Sequence, residues 1–221
     1  SAPEGKQKEL YRAAALKLRQ SLEEDEKTAE TSGKFQILAE LTRLRQLCCD
    51  PSLCFERYNG ESAKLETCVS LLLSAAESGH KILLFSQFAS MLGIIGNRLK
   101  KEGIPFYLLT GSTTKEERNK MVNAFHRDQV PVFLISLKAG GTGLNLTAAD
   151  IVIHYDPWWN VAAQNQATDR AHRIGQEKQV TVYKLIMKDT IEENILNLQE
   201  AKKNLADQIV TEGMVSLAEM S

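Results

Sequence analysis

Five short apolar segments, each separated from the next by a helical or loop pattern, constrain the fold of this chain more than any other feature. They are KILLFS (81–86), PFYLLT (105–110), VPVFLIS (130–136), DIVIHY (150–155) and QVTVYKLIM (179–187). Continuous apolar runs of this length are typical of parallel strands covered on both faces. Because helical patterns alternate with them at short spacing, the sequence predicts an α/β parallel sheet with helices on both faces.

The front of the chain, residues 1–58, has no strand candidate. Residues 6–31 carry apolar side chains at helical spacing, and a second helical pattern follows Gly33. We expect Gly33 to break the first pattern and Asp50-Pro51 to end the second. The predicted organisation is therefore a helical lead-in over 1–60, an α/β lobe over 61–200 and a helical tail over 201–221.

Composition excludes several classes of protein. With a net charge of −1, 43% hydrophobic and 25% charged residues, the chain does not resemble a purely electrostatic nucleic-acid binder, although a local basic groove is compatible with these numbers. It lacks an apolar run of about 18 residues, so we expect no transmembrane helix and no membrane partner. The four cysteines form no CxxC pair and lie near no histidine in the sequence, which predicts no metal site and a reducing intracellular compartment.

The segment SLKAGGTGLNLTAAD (136–150) directly follows a predicted strand. Gly140, Gly141 and Gly143 permit positive φ and close approach of a ligand, and successive backbone N–H groups in such a loop can bind an anion. The third glycine of a dinucleotide-binding fingerprint is missing, and the whole chain lacks a GxxxxGK[ST] phosphate loop. By itself the segment is either a simple glycine turn or a phosphate-contacting loop.

The segment DPWWN (156–160) holds the only two tryptophans of the chain. Neighbouring side chains project in different directions, so we expect one of Trp158 and Trp159 to be exposed, where it can stack against a nucleotide or a phosphate backbone. The alternative is that both pack under the sheet.

The segment ATDRAHRIGQ (167–176) follows on a predicted helix over about 160–172. Gln166, Asp169, Arg170 and Arg173 fall at i, i+3, i+4 and i+7, so the helical spacing predicts that they share a face. Asp169 would then orient one guanidinium while the other stays free. A guanidinium is always charged and forks bidentately, which suits a transferring phosphate. Spacing alone leaves open a solvated face or an anion site.

Taken together and in this order, KILLFSQFASML, FLISLKAGGTGLNLTAADIVIHYDPWWN, QATDRAHRIGQ, VYKLI and TIEENI resemble the C-terminal motor lobe of the SWI/SNF-type DNA translocases of helicase superfamily two. The stretch ILAELTRLRQLCCDPSL is similar to the helical segment that leads into that lobe. One departure is Asn160-Val161, where the family more often has Asn-Pro, and it affects helix initiation more than chemistry. The resemblance implies a RecA-like lobe, and the motif sequences favour a bacterial source.

The resemblance also implies residue roles. Arg170 and Arg173 match arginines that act as fingers on ATP bound to the other lobe. The implied ATP-contacting positions are Gln166, Gly141, Gly143 and Asn145. The implied DNA-contacting positions are Ser86, Gln87, Gly111, Ser112, Thr113, Ser136, Lys138, Ala139, Gly140 and Trp159. No residue of this lobe is expected to bind a metal.

In the resembling family the phosphate-loop lysine and the Mg²⁺ carboxylates belong to an N-terminal lobe, and this sequence contains neither. The expected partners are therefore an N-terminal helicase lobe, double-stranded DNA and, as a further candidate, a DNA-bound protein target, with ATP and Mg²⁺ used only by the intact enzyme. We expect no ATPase activity from this chain alone, and a location at the nucleoid in the cytoplasm, or in the nucleus of a eukaryote.

Two alternatives stay open at this stage. One is a stand-alone nucleic-acid or protein-binding module that kept the fold without the activity. The other is a Rossmann-type transferase in which Asp156, at the end of a strand, holds a ribose. The missing third glycine and the Pro-Trp-Trp that follows Asp156 disfavour the transferase.

Overall fold

The computed structural model describes residues 1–28, 31–139, 144–171 and 179–202. Strands and helices alternate through most of these ranges. In chain order, the elements of the structure are helices α1 (Gly5–Thr28) and α2 (Thr31–Cys49), a 3₁₀ turn (Pro51–Leu53), α3 (Ala63–Glu77), β1 (Ile82–Ser86), α4 (Ala89–Lys101), β2 (Phe106–Leu109), α5 (Lys115–Arg127), β3 (Val132–Ser136), β4 (Ile151–His154), α6 (Val161–Thr168) and β5 (Thr181–Lys184). Residues 191–202 are also helical.

The five strands form one sheet in the order β2-β3-β1-β4-β5, and every neighbouring pair is parallel. In the central strand, Ile82 lies opposite Val132 of β3 on one side and Ile151 of β4 on the other. Because all strands run the same way, their carboxyl ends lie on one edge of the sheet. The predicted parallel α/β sheet is confirmed.

Side chains that alternate along β1 fill two separate cores. Ile82 and Leu84 pack in one apolar cluster, and Leu83 and Phe85 pack in another. The first cluster also contains Cys68 and Leu72 of α3 and Met91, Leu92 and Ile95 of α4. The second contains Phe125 of α5 and Ala167 of α6. Helices therefore cover both faces of the sheet, which is why the strand sequences are continuously apolar.

The lead-in helices α1 and α2 pair antiparallel and pack on the end of the lobe. Gln7 Nε2 donates a hydrogen bond of 2.9 Å to the carbonyl oxygen of Leu47. The hydroxyl oxygen of Tyr11 accepts a 2.7 Å bond from the backbone N–H of Ile191, whose side chain packs against the small cluster of Ala14, Leu44 and Leu47. The lead-in is thus joined to the helical residues at 191–202.

A buried ion pair joins α3 to the helical residues at 191–202, beside the end of β4. The side chains of Lys64 and Glu192 are 1% and 0% exposed and form a salt bridge. Lys64 Nζ also donates to the carbonyl oxygen of Tyr155 at 3.2 Å, and a Glu192 carboxylate oxygen accepts from the Met187 N–H at 2.9 Å. Burial acts to lower the pKa of Lys64, but the charge of Glu192 outweighs it, and the pKa is raised.

Three expected boundaries differ from the structure. Gly33 does not break a helix, because α2 already begins at Thr31. A single glycine costs only about 1 kcal/mol within a helix, which packing easily offsets. The helix expected over 160–172 is α-helical only to Thr168, and the strand expected over 179–187 is regular only over Thr181–Lys184. Of the predicted tail, 203–221 lies outside the described residues.

Among the helices that the structure describes, none combines the length and apolar character needed to cross a membrane.

Candidate nucleotide and nucleic-acid interface

The carboxyl edge of the sheet brings together most of the residues that the sequence singled out. β1 ends at Ser86, β2 at Leu109, β3 at Ser136 and β4 at His154. The segments that follow these strands carry the predicted contact residues, and the parallel sheet places all of these segments on the same edge. Topology therefore assembles one candidate site from four separate stretches of sequence.

Asp156 organises the centre of this edge. Its carboxylate accepts hydrogen bonds from the Ser86 hydroxyl and, at 2.7 Å, from Gln87 Nε2. Burial raises the pKa of Asp156, while the hydrogen bond from Ser86 acts in the opposite direction. Ser86 is fully buried. Its hydroxyl lies inside the protein and is bound to Asp156, and the DNA contact expected at Ser86 stays a prediction. Gln87 is half-buried and also donates to the Pro157 carbonyl at 3.2 Å.

The loop after β2 is a compact polar turn. Gly111 and Ser112 are exposed, and Thr113 is half-buried. The Thr113 hydroxyl oxygen accepts a 3.0 Å bond from the Thr110 N–H, and the Ser112 and Thr110 hydroxyls are 2.8 Å apart. Thr114 then forms a capping box with a glutamate of the first turn of α5. The loop is thus held in one shape with two small residues at the surface.

The segment after β3 is only partly accessible. Ser136 and Ala139 are buried and Lys138 is exposed. Neither side chain of Ser136 and Ala139 reaches the surface, and the DNA contacts expected at these two positions stay predictions. Asn145 is exposed, and its carbonyl oxygen lies 2.9 Å from Nε2 of His126. The predicted residues Gly140, Gly141 and Gly143 lie outside the described residues.

The two tryptophans have different environments, as the sequence predicted. Trp158 is half-buried and packs against the second core, while Trp159 is 43% exposed. The backbone around Trp158 is held on both sides, since its N–H donates to Gln164 Oε1 at 3.2 Å and its carbonyl accepts from Gln199 Nε2. Trp159 therefore projects from a fixed loop at the edge of the sheet.

Arg45 of α2 belongs to this site and was not identified from the sequence. It is 6% exposed, and Nη2 donates a 2.8 Å hydrogen bond to the carbonyl oxygen of Pro157. Its guanidinium carbon lies 5.8 Å from the centroid of the Trp159 ring and 5.7 Å from that of Phe88. An available signal was its position beside Leu44 within an apolar helical stripe, where a charged side chain requires buried partners.

The helix predicted to carry the arginine motif is shorter than expected. α6 ends at Thr168, and Arg170 lies in the turn that follows. Arg170 is 4% exposed, whereas Gln166 and Asp169 are exposed. Arg170 Nε lies 3.4 Å from the carbonyl oxygen of Gln166. The helical spacing therefore does not extend to Arg170, because α6 stops two residues before it.

Arg173 lies outside the described residues. The backbone of Arg170 is tied to another segment, since its carbonyl oxygen accepts a 3.2 Å bond from the Leu146 N–H. The loop that follows the glycine segment is thus in direct contact with the arginine turn.

His154, at the end of β4, has a structural environment. Its Nε2 lies 2.9 Å from the hydroxyl of Thr168, and its ring stacks on Phe85. Burial, followed by the nearby charge of Lys184, lowers the pKa of His154 to about 4. The imidazole is therefore neutral near pH 7 and fixes the strand end against α6.

Comparison with known proteins gives the family. Residues 63–175 match the helicase conserved C-terminal domain. YwqA of Bacillus subtilis, a protein named for ATP-dependent helicase or translocase activity, is 46% identical over 183 residues, covering 80% of this chain and 20% of YwqA. The chain thus spans about a fifth of the length of curated relatives such as YwqA.

Two solved structures of Sulfolobus solfataricus match most of the chain. The SWI2/SNF2 ATPase C-terminal domain has a TM-score of 0.75 at 32% identity, with 92% of this chain and 83% of that chain covered. The SWI2/SNF2 ATPase core in complex with dsDNA has a TM-score of 0.77 at 32% identity, with 96% and 45% covered. With the parallel five-stranded sheet and the motif order, these matches show that the chain belongs to the helicase conserved C-terminal domain family, as a RecA-like lobe of the SWI2/SNF2 type.

Proposed function

We propose that this lobe is the C-terminal half of an ATP-dependent translocase on double-stranded DNA. The observation that carries the proposal is the convergence, on one sheet edge, of the segments that match the motor motifs. Among the predicted DNA-contacting residues of that edge, Gly111, Ser112, Lys138 and Trp159 are exposed. The likeness to a Sulfolobus core in complex with dsDNA supports DNA as the ligand.

Arg170 and Arg173 are proposed as the fingers that stabilise the transferring phosphate of ATP. Guanidinium groups provide this chemistry in trans when the nucleotide is bound by another lobe. The sequence has no phosphate loop of its own, so ATP is assigned to an N-terminal helicase lobe. In this state Arg170 is packed on its own helix end, and its guanidinium has to turn outward when the lobes close.

The other nucleotide contacts and the metal follow from the same arrangement. Gln166, Asn145, Gly141 and Gly143 are proposed to line the ATP side of the cleft. Among the described residues, no three His, Cys, Asp or Glu side chains form a group suited to a metal ion. The Mg²⁺ that accompanies ATP is assigned to the opposing lobe, because in the resembling family the Mg²⁺ carboxylates belong to that lobe, where the ion would neutralise phosphate charge.

DNA contact is proposed to be mainly with phosphate groups, which makes binding independent of sequence and sensitive to salt. Lys138 supplies a charge, the loop at Gly111 to Thr113 and the amide of Gln87 supply polar contacts, and Trp159 lies against the duplex. ATP binding closes the two lobes and hydrolysis reopens them, so that this lobe advances along one strand. A bacterial relative supports a location at the nucleoid in the cytoplasm.

We propose the same division of the chain into a lead-in (1–60), a motor lobe (61–200) and a C-terminal tail (201–221). A DNA-bound protein is a further candidate target of the intact enzyme. Since the lead-in packs against residue Ile191, it is proposed to move with the lobe as one body.

The test is reconstitution of the motor from this chain and its N-terminal helicase lobe. DNA-stimulated ATPase should appear only in the mixture, and the chain alone should have none. Arg170→Ala and Arg173→Ala should each reduce the stimulated ATPase rate by a factor of about 10³–10⁵, which is the usual contribution of an arginine finger to the rate. Arg19→Ala is the matched control, because Arg19 is 78% exposed on α1.

Because Arg170 is buried, its removal can also weaken the fold. Arg170→Lys retains the charge and most of the volume but cannot form a bidentate fork. Urea midpoints of each variant separate folding from catalysis. If both alanine variants and Arg170→Lys remain folded and hydrolyse ATP at the wild-type rate, the assignment of the fingers is wrong.

A further inference from the structure

We propose that Arg45 is a positioning residue that fixes the ring of Trp159 and thereby links the helical lead-in to the DNA-contacting edge. The part of this inference that concerns DNA rests on the proposed function, which places Trp159 against the duplex. The part that concerns the orientation of Trp159 depends only on contacts within this chain.

The backbone that precedes Trp159 is anchored from four elements. The Pro157 carbonyl oxygen accepts hydrogen bonds from Arg45 Nη2 at 2.8 Å and from Gln87 Nε2 at 3.2 Å. The backbone of Trp158 bonds to Gln164 of α6 and to Gln199 of the helical stretch 191–202. The loop is therefore fixed by α2, by the end of β1, by α6 and by the last described helix, up to the residue before Trp159.

The ring of Trp159 lies beyond these anchors, and the guanidinium of Arg45 is the cation beside it at 5.8 Å. Phe88, which begins α4, has the same guanidinium 5.7 Å from its ring. A planar, weakly hydrated guanidinium can stack on two aromatic rings and still donate an in-plane hydrogen bond, whereas an ammonium cannot do both. The geometry therefore selects arginine over lysine at position 45.

Arg45 is held in this conformation by several partners at once. Besides the Pro157 carbonyl and the two rings, Asp156 lies 3.9 Å from Nη2 and neutralises the charge in a buried setting. With only 6% of the residue exposed, its guanidinium is not available to a DNA phosphate. Arg45 thus acts on DNA through Trp159, and its role differs from that of a surface lysine.

The first experiment follows the tryptophans directly by ¹⁹F NMR on the chain labelled with 5-fluorotryptophan. The two tryptophans give two resonances, and Trp159→Phe assigns them. We expect Arg45→Lys to shift the Trp159 resonance and to move the Trp158 resonance less, since Trp158 keeps its bonds to α6. Arg43→Lys is the matched control, because Arg43 is on the same helix with its guanidinium 5.2 Å from the Phe55 ring, away from the loop.

The second experiment measures binding to a fluorescein-labelled duplex by anisotropy across a salt series. Arg45→Lys should weaken binding about fivefold, the factor that corresponds to loss of a cation–π contact of usual strength. In the charge-removing variant Arg45→Gln, the slope of log K against log salt should stay at the wild-type value, because Arg45 neutralises no phosphate. Lys138→Met should instead reduce that slope by about one. Arg43→Lys should change neither quantity.

Each outcome has a defined meaning. The proposal is overturned if the Trp159 resonance of a folded Arg45→Lys chain does not move, or if both resonances move equally, as a general loosening would cause. Arg45→Gln repeats the test if the lysine variant has a lowered urea midpoint. A reduced salt slope in Arg45→Gln would make Arg45 a direct phosphate contact and would also overturn it. If Trp159→Ala binds DNA as the wild type does, the failure lies with the proposed DNA surface, and the NMR result alone decides the positioning role.

Discussion

Replacement of Lys64 by methionine tests how the buried ion pair supports this fold. Lys64 and Glu192 are both inaccessible to solvent, and the carboxylate keeps a backbone donor, the Met187 N–H, after the ammonium is removed. Methionine preserves much of the volume of the lysine stem, so the change removes charge more than packing. The main consequence is a carboxylate left buried without its cation.

The magnitude follows from the protonation of Glu192. Burial raises the pKa of Glu192 above its ordinary value of 4.5, and the Lys64 ammonium opposes that rise. Without Lys64, the folded state avoids a buried charge by keeping Glu192 protonated. That costs about 1.36 kcal/mol for each pH unit above the unfolded value, or about 4 kcal/mol at pH 7.5 and about 1.4 kcal/mol at pH 5.5. The loss of about 4 kcal/mol at pH 7.5 agrees with the roughly 3–5 kcal/mol that is usual when one partner of a buried ion pair is removed.

The sign of the pH dependence is therefore defined. Above pH 4.5 the folded variant binds one more proton at Glu192 than its unfolded chain does, so its stability decreases as pH rises. With Lys64 present the ammonium opposes the rise in the pKa of Glu192, so we expect a smaller slope from the intact pair. The difference between variant and wild type isolates this effect from all other titrating groups.

Urea unfolding followed by circular dichroism at pH 5.5, 6.5 and 7.5 measures that difference. Lys120→Met is the matched control, because its pair with Glu116 on α5 is almost fully exposed, and no change is expected at any pH. The double variant Lys64→Met with Glu192→Leu should recover most of the lost stability. A loss below about 1 kcal/mol at pH 7.5, or a loss that does not vary with pH, would refute the reasoning.

Two further predictions concern the loops and strand ends of the site. Thr114→Ala removes the capping box of α5 and should lower the free energy of unfolding by about 1 kcal/mol, measured by urea titration, whereas Thr114→Asp should retain most of the stability; equal losses in both variants would contradict the capping role. The pKa of His154 is lowered to about 4 by burial and by Lys184, so the unfolded chain binds a proton first as pH falls. Wild-type stability should therefore decline as pH falls from about 6.5 towards 4, and in His154→Gln the urea midpoint should vary less over that range; an unchanged pH profile would show that His154 does not carry this effect.

Much of the fold is readable from local sequence. The segments predicted at 81–86, 130–136 and 150–155 became β1, β3 and β4 with boundaries within two residues. Burial on both faces leaves a continuous apolar run, and a run of this kind is visible without knowledge of its neighbours. The order of the motifs is also sufficient to place the chain in its family without its tertiary structure.

The candidate site was less predictable where it depended on contacts between distant segments. Motif matching selected Ser86 and Ser136 as DNA contacts, but both are buried, and Ser86 is bound to Asp156, which is 70 residues later in the chain. Helical spacing placed Arg170 on the same helix face as Gln166 and Asp169, but the helix stops at Thr168 and the Arg170 carbonyl bonds to Leu146.

Arg45 shows the same limit most clearly. Its hydrogen-bond acceptor, Pro157, is 112 residues away, and no periodicity within α2 indicates that partner. The sequence by itself determined the strand and helix pattern, the sheet class and the family, because these depend on the local alternation of apolar and polar residues. Only the tertiary structure decided which motif side chains are exposed and which hold other residues in place, because exposure depends on packing against segments that are remote in the chain.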